Sequence, residues 1–106
     1  MNIDLIALAN QTKVVSDLRE KLAKARSDYA NVRALHGQRG YDVVIGGARI
    51  SVAEMDPHTY QAKLVRGCEM IHLGALKALD ARVDGLAERV KHEEQKLARI
   101  AAGEKP

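Results

Sequence analysis

The sequence predicts a mostly α protein: a long helix, a two-stranded β-hairpin and a longer helix, folded as a helical hairpin and assembled as a coiled-coil oligomer. Three observations carry this. Apolar residues recur every seven positions through the first third of the chain. A Gly-Gly pair separates two short alternating segments. The second half is apolar around more than one face of a helix. Composition agrees: with 16 Ala, 11 Leu, three Tyr, no Phe and no Trp, and 29 % of residues charged, the chain suits long helices packed side by side. At 106 residues it reads as one domain with a thin core of its own.

Helix one is expected over residues 4–36. Leu8, Val15, Leu22 and Tyr29 form one row of a heptad seam, and Leu18, Ala25 and Val32 form its companion. Gln11 interrupts the seam near its start, and Gly37 and Gly40 mark the stop.

The hairpin occupies residues 41–52. If Ile45 faces Ala48 across Gly46-Gly47, then Val43 faces Ile50 and Tyr41 faces Val52, and all six lie on one face. The other face holds Asp42, Val44, Arg49 and Ser51, with Asp42 and Arg49 as diagonal neighbours of opposite charge. An isolated hairpin is marginal in water, so the apolar face needs a helix or another subunit against it.

Helix two is expected over residues 57–102, with Asp56 as cap and Pro57 at the first helical position. Ser51 to Glu54 also has capping-box spacing, but a helix begun there would bury Pro57 in its interior, so only a short turn is expected at that point. Gly103 and Pro106 belong to a frayed tail, residues 103–106. At 1.5 Å per residue the helices span roughly 50 and roughly 70 Å, leaving some 20 Å of helix two unpartnered. That excess carries Val83, Leu86, Val90, Leu97 and Ile100, while Cys68, Met70, Ile71, Leu73, Leu76 and Leu79 wrap around the helix. One partner helix cannot cover this, so a homo-oligomer is expected, with Cys68, Met70, Ile71, Leu73, Leu76, Leu79, Val83, Leu86 and Val90 at its interface. Gly67, Gly74 and Ala81 fall on one stripe and permit close approach of another helix.

Several function classes are excluded at this stage. A single Cys permits no intrachain disulfide and no multi-Cys zinc site. No apolar run reaches membrane-span length and the start lacks a signal-peptide pattern, so a cytoplasmic protein without membrane contact is expected. The net charge of +3 is mild and interspersed, which fits weak or no nucleic-acid binding and excludes a DNA mimic.

Candidate chemistry is sparse. Glu69 and His72 have the Glu-x-x-His spacing of carboxylate-bridged di-iron bundles, which need further ligands from other helices; the competing reading is a packed His and a surface Glu. Cys68 and His72, one turn apart, have nucleophile-pair spacing but no oxyanion hole or orienting acid, and a buried Cys is ordinarily a small hydrophobe. His92-Glu93-Glu94 lacks the second His of a zinc-protease helix. Neither metal nor cofactor is expected.

Two binding features remain. Arg19, Arg26 and Arg33 form a basic strip along helix one, available to anions or else paired with Asp80, Asp84 or Glu88. Arg39, Tyr41, His58, Tyr60 and Arg66 surround the expected helix start at Pro57, where free N–H groups favour a small anion.

The order helix, Gly-turn hairpin, Ser51-Val-Ala-Glu54 junction and long helix resembles small accessory proteins of bacteriophages and prophages. The segment Ile45-Gly-Gly-Ala-Arg-Ile-Ser-Val-Ala-Glu54 is similar to the strand-to-helix junction of septicolysin-like proteins, over about a tenth of the chain; no functional residue carries over. The resemblance implies action by binding, as an inhibitor or assembly factor. The expectation is a non-enzymatic oligomer of phage type that inhibits or counters a defence by holding a host protein or an anionic nucleotide signal. The alternatives are a scaffold or virion-assembly factor, whose three strip arginines would all be paired, and a metal-dependent enzyme built on Glu69 and His72.

Overall fold

Helix α1 (Leu5–Gln38) leads through strands β1 (Tyr41–Ile45) and β2 (Ala48–Val52) to helix α2 (Ala62–Ala101). The computed structural model describes residues 2–53 and 55–104, and of Gln38 the backbone alone. The mostly helical class and the helix–hairpin–helix order match the expectation. Asp4 starts α1 as an N-cap, its Oδ1 accepting the Ile6 and Ala7 N–H groups at 3.1 and 3.0 Å. These donors would otherwise have no partner in the first turn.

The end of α1 is set by Gly40. The Gly40 N–H closes back onto the Leu35 carbonyl, and the residue holds φ of 70°, a left-handed conformation that L side chains resist. Space forbids a side chain as well. A Cβ on Gly40 would lie 2.6 Å from the Val52 carbonyl oxygen and 2.7 Å from the Ala53 Cβ. The glycine therefore lets the start of β1 touch the end of β2 as the chain leaves the helix.

The hairpin has the anticipated antiparallel register: Tyr41 opposite Val52, Val43 opposite Ile50 and Ile45 opposite Ala48. Gly46 and Gly47 both have positive φ, as a two-residue primed turn demands. On the solvent face Asp42 accepts from Ser51 Oγ at 3.0 Å and lies 3.8 Å from Arg49. Burial is graded along the other face. Val52 is 0 % exposed, Tyr41, Val43 and Ile50 are half-buried, and Ile45 at the tip is open.

Helix α2 starts five residues later than Pro57. Asp56 does cap, but only a single turn: its Oδ1 accepts the His58 N–H at 2.9 Å, and its carbonyl takes the Thr59 and Tyr60 N–H groups. A fresh start follows at Gln61, whose carbonyl accepts from Leu64 and Val65. The capping-box expectation rests on Glu54, which lies outside the described residues. At the far end Gly103, at φ of 87°, closes a Schellman motif: Gly103 N–H to Ile100 O and Glu104 N–H to Arg99 O, each 3.0 Å. Arg99 and Glu104 lie 4.0 Å apart across it. Residues 105–106 lie outside the described residues.

The residues group into two compact units. One joins α1 through Arg26 to α2 from Ala81 onward; the other comprises Ser27–Asp80. In the first, Leu18, Leu22 and Val90 form the core, with Val83, Leu86 and Ala87 packed against it. Val15, Ala25 and Ile100 are buried too. Each large aliphatic side chain so buried stabilises by roughly 1.5–3 kcal/mol. Val83, Leu86 and Val90, expected at an oligomer interface, pack in this core within one chain, Val83 and Leu86 remaining partly exposed. The late start of α2 brings its two-helix partnership closer in length to α1, and α1 itself covers these residues. Gln11, 6 % exposed, does not fray the seam. Its amide donates to the Glu93 carbonyl at 3.0 Å and to Glu93 Oε2 at 2.6 Å.

Gly40→Ala should cost at least about 2 kcal/mol in denaturant unfolding, because it meets both strain and backbone. Gly46→Asn, with open space around it, should change stability by less than about 0.5 kcal/mol. The Gln11 hydrogen bond, aided by the neighbouring cations, holds the Glu93 carboxyl below its ordinary 4.5. A carboxylate held down in the folded state adds stability above that value, which is lost as pH falls through the folded midpoint. Carboxyl NMR titration of Gln11→Leu should show the Glu93 midpoint moving back up toward 4.5.

Candidate functional site

Within the Ser27–Asp80 unit the base of the hairpin rests on helical side chains. Cys68 is buried, and its Sγ donates to the Ser51 carbonyl at 3.4 Å. His72, one turn later and 8 % exposed, meets the Tyr41 hydroxyl through Nδ1 at 2.8 Å. On its other side His36 stacks, with centroids 3.6 Å apart and planes 8° from parallel. Three elements, α1, β1 and α2, thus converge on one imidazole. Burial, and then the charge at His36, lower the proton affinity of His72. Burial also pushes the Tyr41 phenol up.

Beside the stack lies a cavity of about 340 Å³ lined by His36, Ala53, Met55, Asp56, Val65 and Glu69. His36 Nε2 is buried and has no partner among the described residues. Sequence reasoning missed His36, although a signal was present: it continues the row Leu8, Val15, Leu22, Tyr29 by another seven residues.

These contacts alter the chemical readings of the motifs. His72 gives Nδ1 to Tyr41 while Glu69 is exposed, and among the described residues no three His, Cys, Asp or Glu side chains gather as a metal site. Cys68 is engaged with Ser51 rather than with His72, so the nucleophile pair is not assembled. Cys68, expected at an oligomer interface, is buried within its own chain against the hairpin. Glu93 and Glu94 serve Gln11 and Arg19.

The residues expected at the anion site do not all line either of the two cavities described for this unit. Arg39 and Tyr41 line a cavity of about 230 Å³ with Asp42 and Ser51. His58, Tyr60 and Arg66 are exposed and line neither cavity of this unit described here. The helix N-terminus expected at Pro57 is a lone turn whose first N–H group is taken by the Asp56 carboxylate. Of the basic strip, Arg19 pairs with Glu94 at 2.8 Å, not with the acids anticipated, and both groups remain well exposed. Arg26 and Arg33 are exposed and make no ion pair among the described residues.

The first half of α2 has a different outer face. Lys63, Gly67, Met70, Gly74 and Lys77 follow four-three spacing along one side, with Arg66 and Leu73 beside them. Met70 is 64 % and Leu73 57 % exposed. A Cβ placed on Gly67 or Gly74 would meet nothing within 4 Å. Ile71, Leu76 and Leu79 are half-buried. Of the expected interface residues, Met70 and Leu73 alone project freely into solvent.

Comparison with protein-family models, curated proteins and solved structures finds no match. No helix among the described residues is long and apolar enough to cross a membrane.

Replacing Tyr41 by Phe keeps the ring and deletes the donor, leaving His72 Nδ1 buried without its partner. Tyr41→Phe should cost about 1–3 kcal/mol by denaturant unfolding. In native protein, Cys68 should react with an aromatic disulfide at least about 100-fold more slowly than in the unfolded chain.

Proposed function

We propose that the protein works by binding rather than by catalysis, as a homo-oligomer whose outer α2 face also takes a protein partner. The observation that supports this is the face running from Lys63 to Lys77. It presents two large apolar side chains beside two glycines, on either of which a Cβ would meet nothing within 4 Å among the described residues. Each glycine costs a helix interior about 1 kcal/mol relative to Ala. Bulky apolar side chains of another helix would fit over Gly67 and Gly74, and carboxylates would fit opposite Lys63, Arg66 and Lys77.

A protein target is preferred to a small anionic nucleotide because Arg39 and Tyr41 line one cavity while His58, Tyr60 and Arg66 line neither cavity described for this unit. The biological role proposed is that of a small phage-type inhibitor or counter-defence factor acting on a host protein. The helix–hairpin–helix order supports it. The Arg19–Glu94 pair favours the scaffold alternative, but Arg26 and Arg33 do not follow it.

Sedimentation equilibrium tests the oligomer. The wild-type chain should associate at micromolar concentration, and Met70→Glu with Leu73→Glu should weaken association by about 100-fold or more. Circular dichroism of the double variant should show unchanged helicity, since both side chains are exposed. A wild-type chain that stays monomeric at about 100 μM would overturn the oligomer reading.

A further inference from the structure

The His36–His72–Tyr41 cluster joins three elements through a ring stack and a hydrogen bond. Tyr41 Oη and His72 Nδ1 share a hydrogen bond at 2.8 Å, and the phenol is its donor when His72 is neutral with the proton on Nε2. The two rings stack in face-to-face contact at 3.6 Å. Neutral imidazoles tolerate that contact; two imidazolium ions there repel, and half-buried surroundings screen them poorly.

The neighbours of the pair differ. Asp56, from the turn before α2, and Glu69, from α2, line the cavity that His36 borders, where their carboxylates oppose a positive charge. His72 has Tyr41 on the hairpin side and Cys68 one turn before it, and Cys68 is occupied by Ser51. Arg33 and Arg39 flank His36 in sequence but are exposed. Carboxylates thus lie on the cavity side of the stack, while the contacts of His72 toward the hairpin are to neutral groups.

We propose that this stack is a proton-sensitive latch: charging both imidazoles parts the rings and releases the base of the hairpin from α1 and α2. The direction of the pH dependence follows from His72. Its folded form binds protons less readily than an unfolded histidine at 6.5. Stability from the latch is full above that value and is lost as pH falls through the folded midpoint.

Residue-resolved hydrogen exchange on the full chain, corrected for intrinsic rates, tests the latch at about pH 7.5 and about pH 5. Protection of the β1 and β2 ladder amides should fall at least about tenfold at the lower pH, while the Leu18, Leu22 and Val90 amides change by less than about threefold. His36→Phe keeps a flat ring that cannot charge, and should abolish the difference. A fall of equal size in both sets overturns the proposal, as does a fall that persists in folded His36→Phe. Should that variant not fold, imidazole NMR titration of the wild type decides. Two separated steps, the lower coinciding with loss of the Tyr41–His72 contact, support the latch; a single shared midpoint overturns it.

Discussion

A two-stranded hairpin cannot hold itself in water, so the Ser27–Asp80 unit depends on what covers the hairpin base. The chain has no Phe or Trp for this purpose. It uses Val52, which is wholly buried, and the pairs Tyr41–His72 and Cys68–Ser51. Two of these contacts are polar and directional. They fix the hairpin's position where an aliphatic patch would allow sliding. Gly40 is the covalent counterpart of the same constraint, because the exit from α1 must pass within van der Waals reach of Val52 and Ala53.

The other unit is held differently. Its core of Leu18, Leu22 and Val90 is aliphatic, and specificity comes from one polar contact, Gln11 with Glu93. A buried amide needs partners, and Glu93 supplies both a carbonyl and a carboxylate. A residue that breaks the apolar repeat in the sequence thereby sets which turn of α2 lies opposite the start of α1.

The hairpin register was legible because period two, a Gly-Gly turn and the Asp42–Arg49 pair all specify one pairing. The heptad seam was legible for a similar reason, and its buried members Val15, Leu18, Leu22 and Ala25 lie where the repeat puts them. The start of α2 was not. Asp-Pro is a good helix opening, but Asp56 engages Thr59 through its side chain and completes a local turn before the helix begins. The candidate site was less legible still. The anion cluster was assembled around a helix N-terminus that does not exist at Pro57. His36 was set aside as a helix end, whereas its heptad position pointed inward. Spacing alone grouped His72 with Cys68 and Glu69 on one helix, while the contacts that matter come from α1 and β1, far away in sequence.

Helix α2 therefore carries two faces with opposite accounts in its first half. The inner face, with Cys68 and His72, is explained by contacts within the chain. The outer face is not: Met70 and Leu73 leave apolar surface in water, and Gly67 and Gly74 weaken the helix without relieving any crowding. A single exposed Leu calls for no explanation. Large and small residues alternating along one exposed side do, since the small ones are compensated only when another backbone comes close. On the proposed reading the compensation comes from another chain, and the cations at both ends of the stripe favour an acidic surface on it.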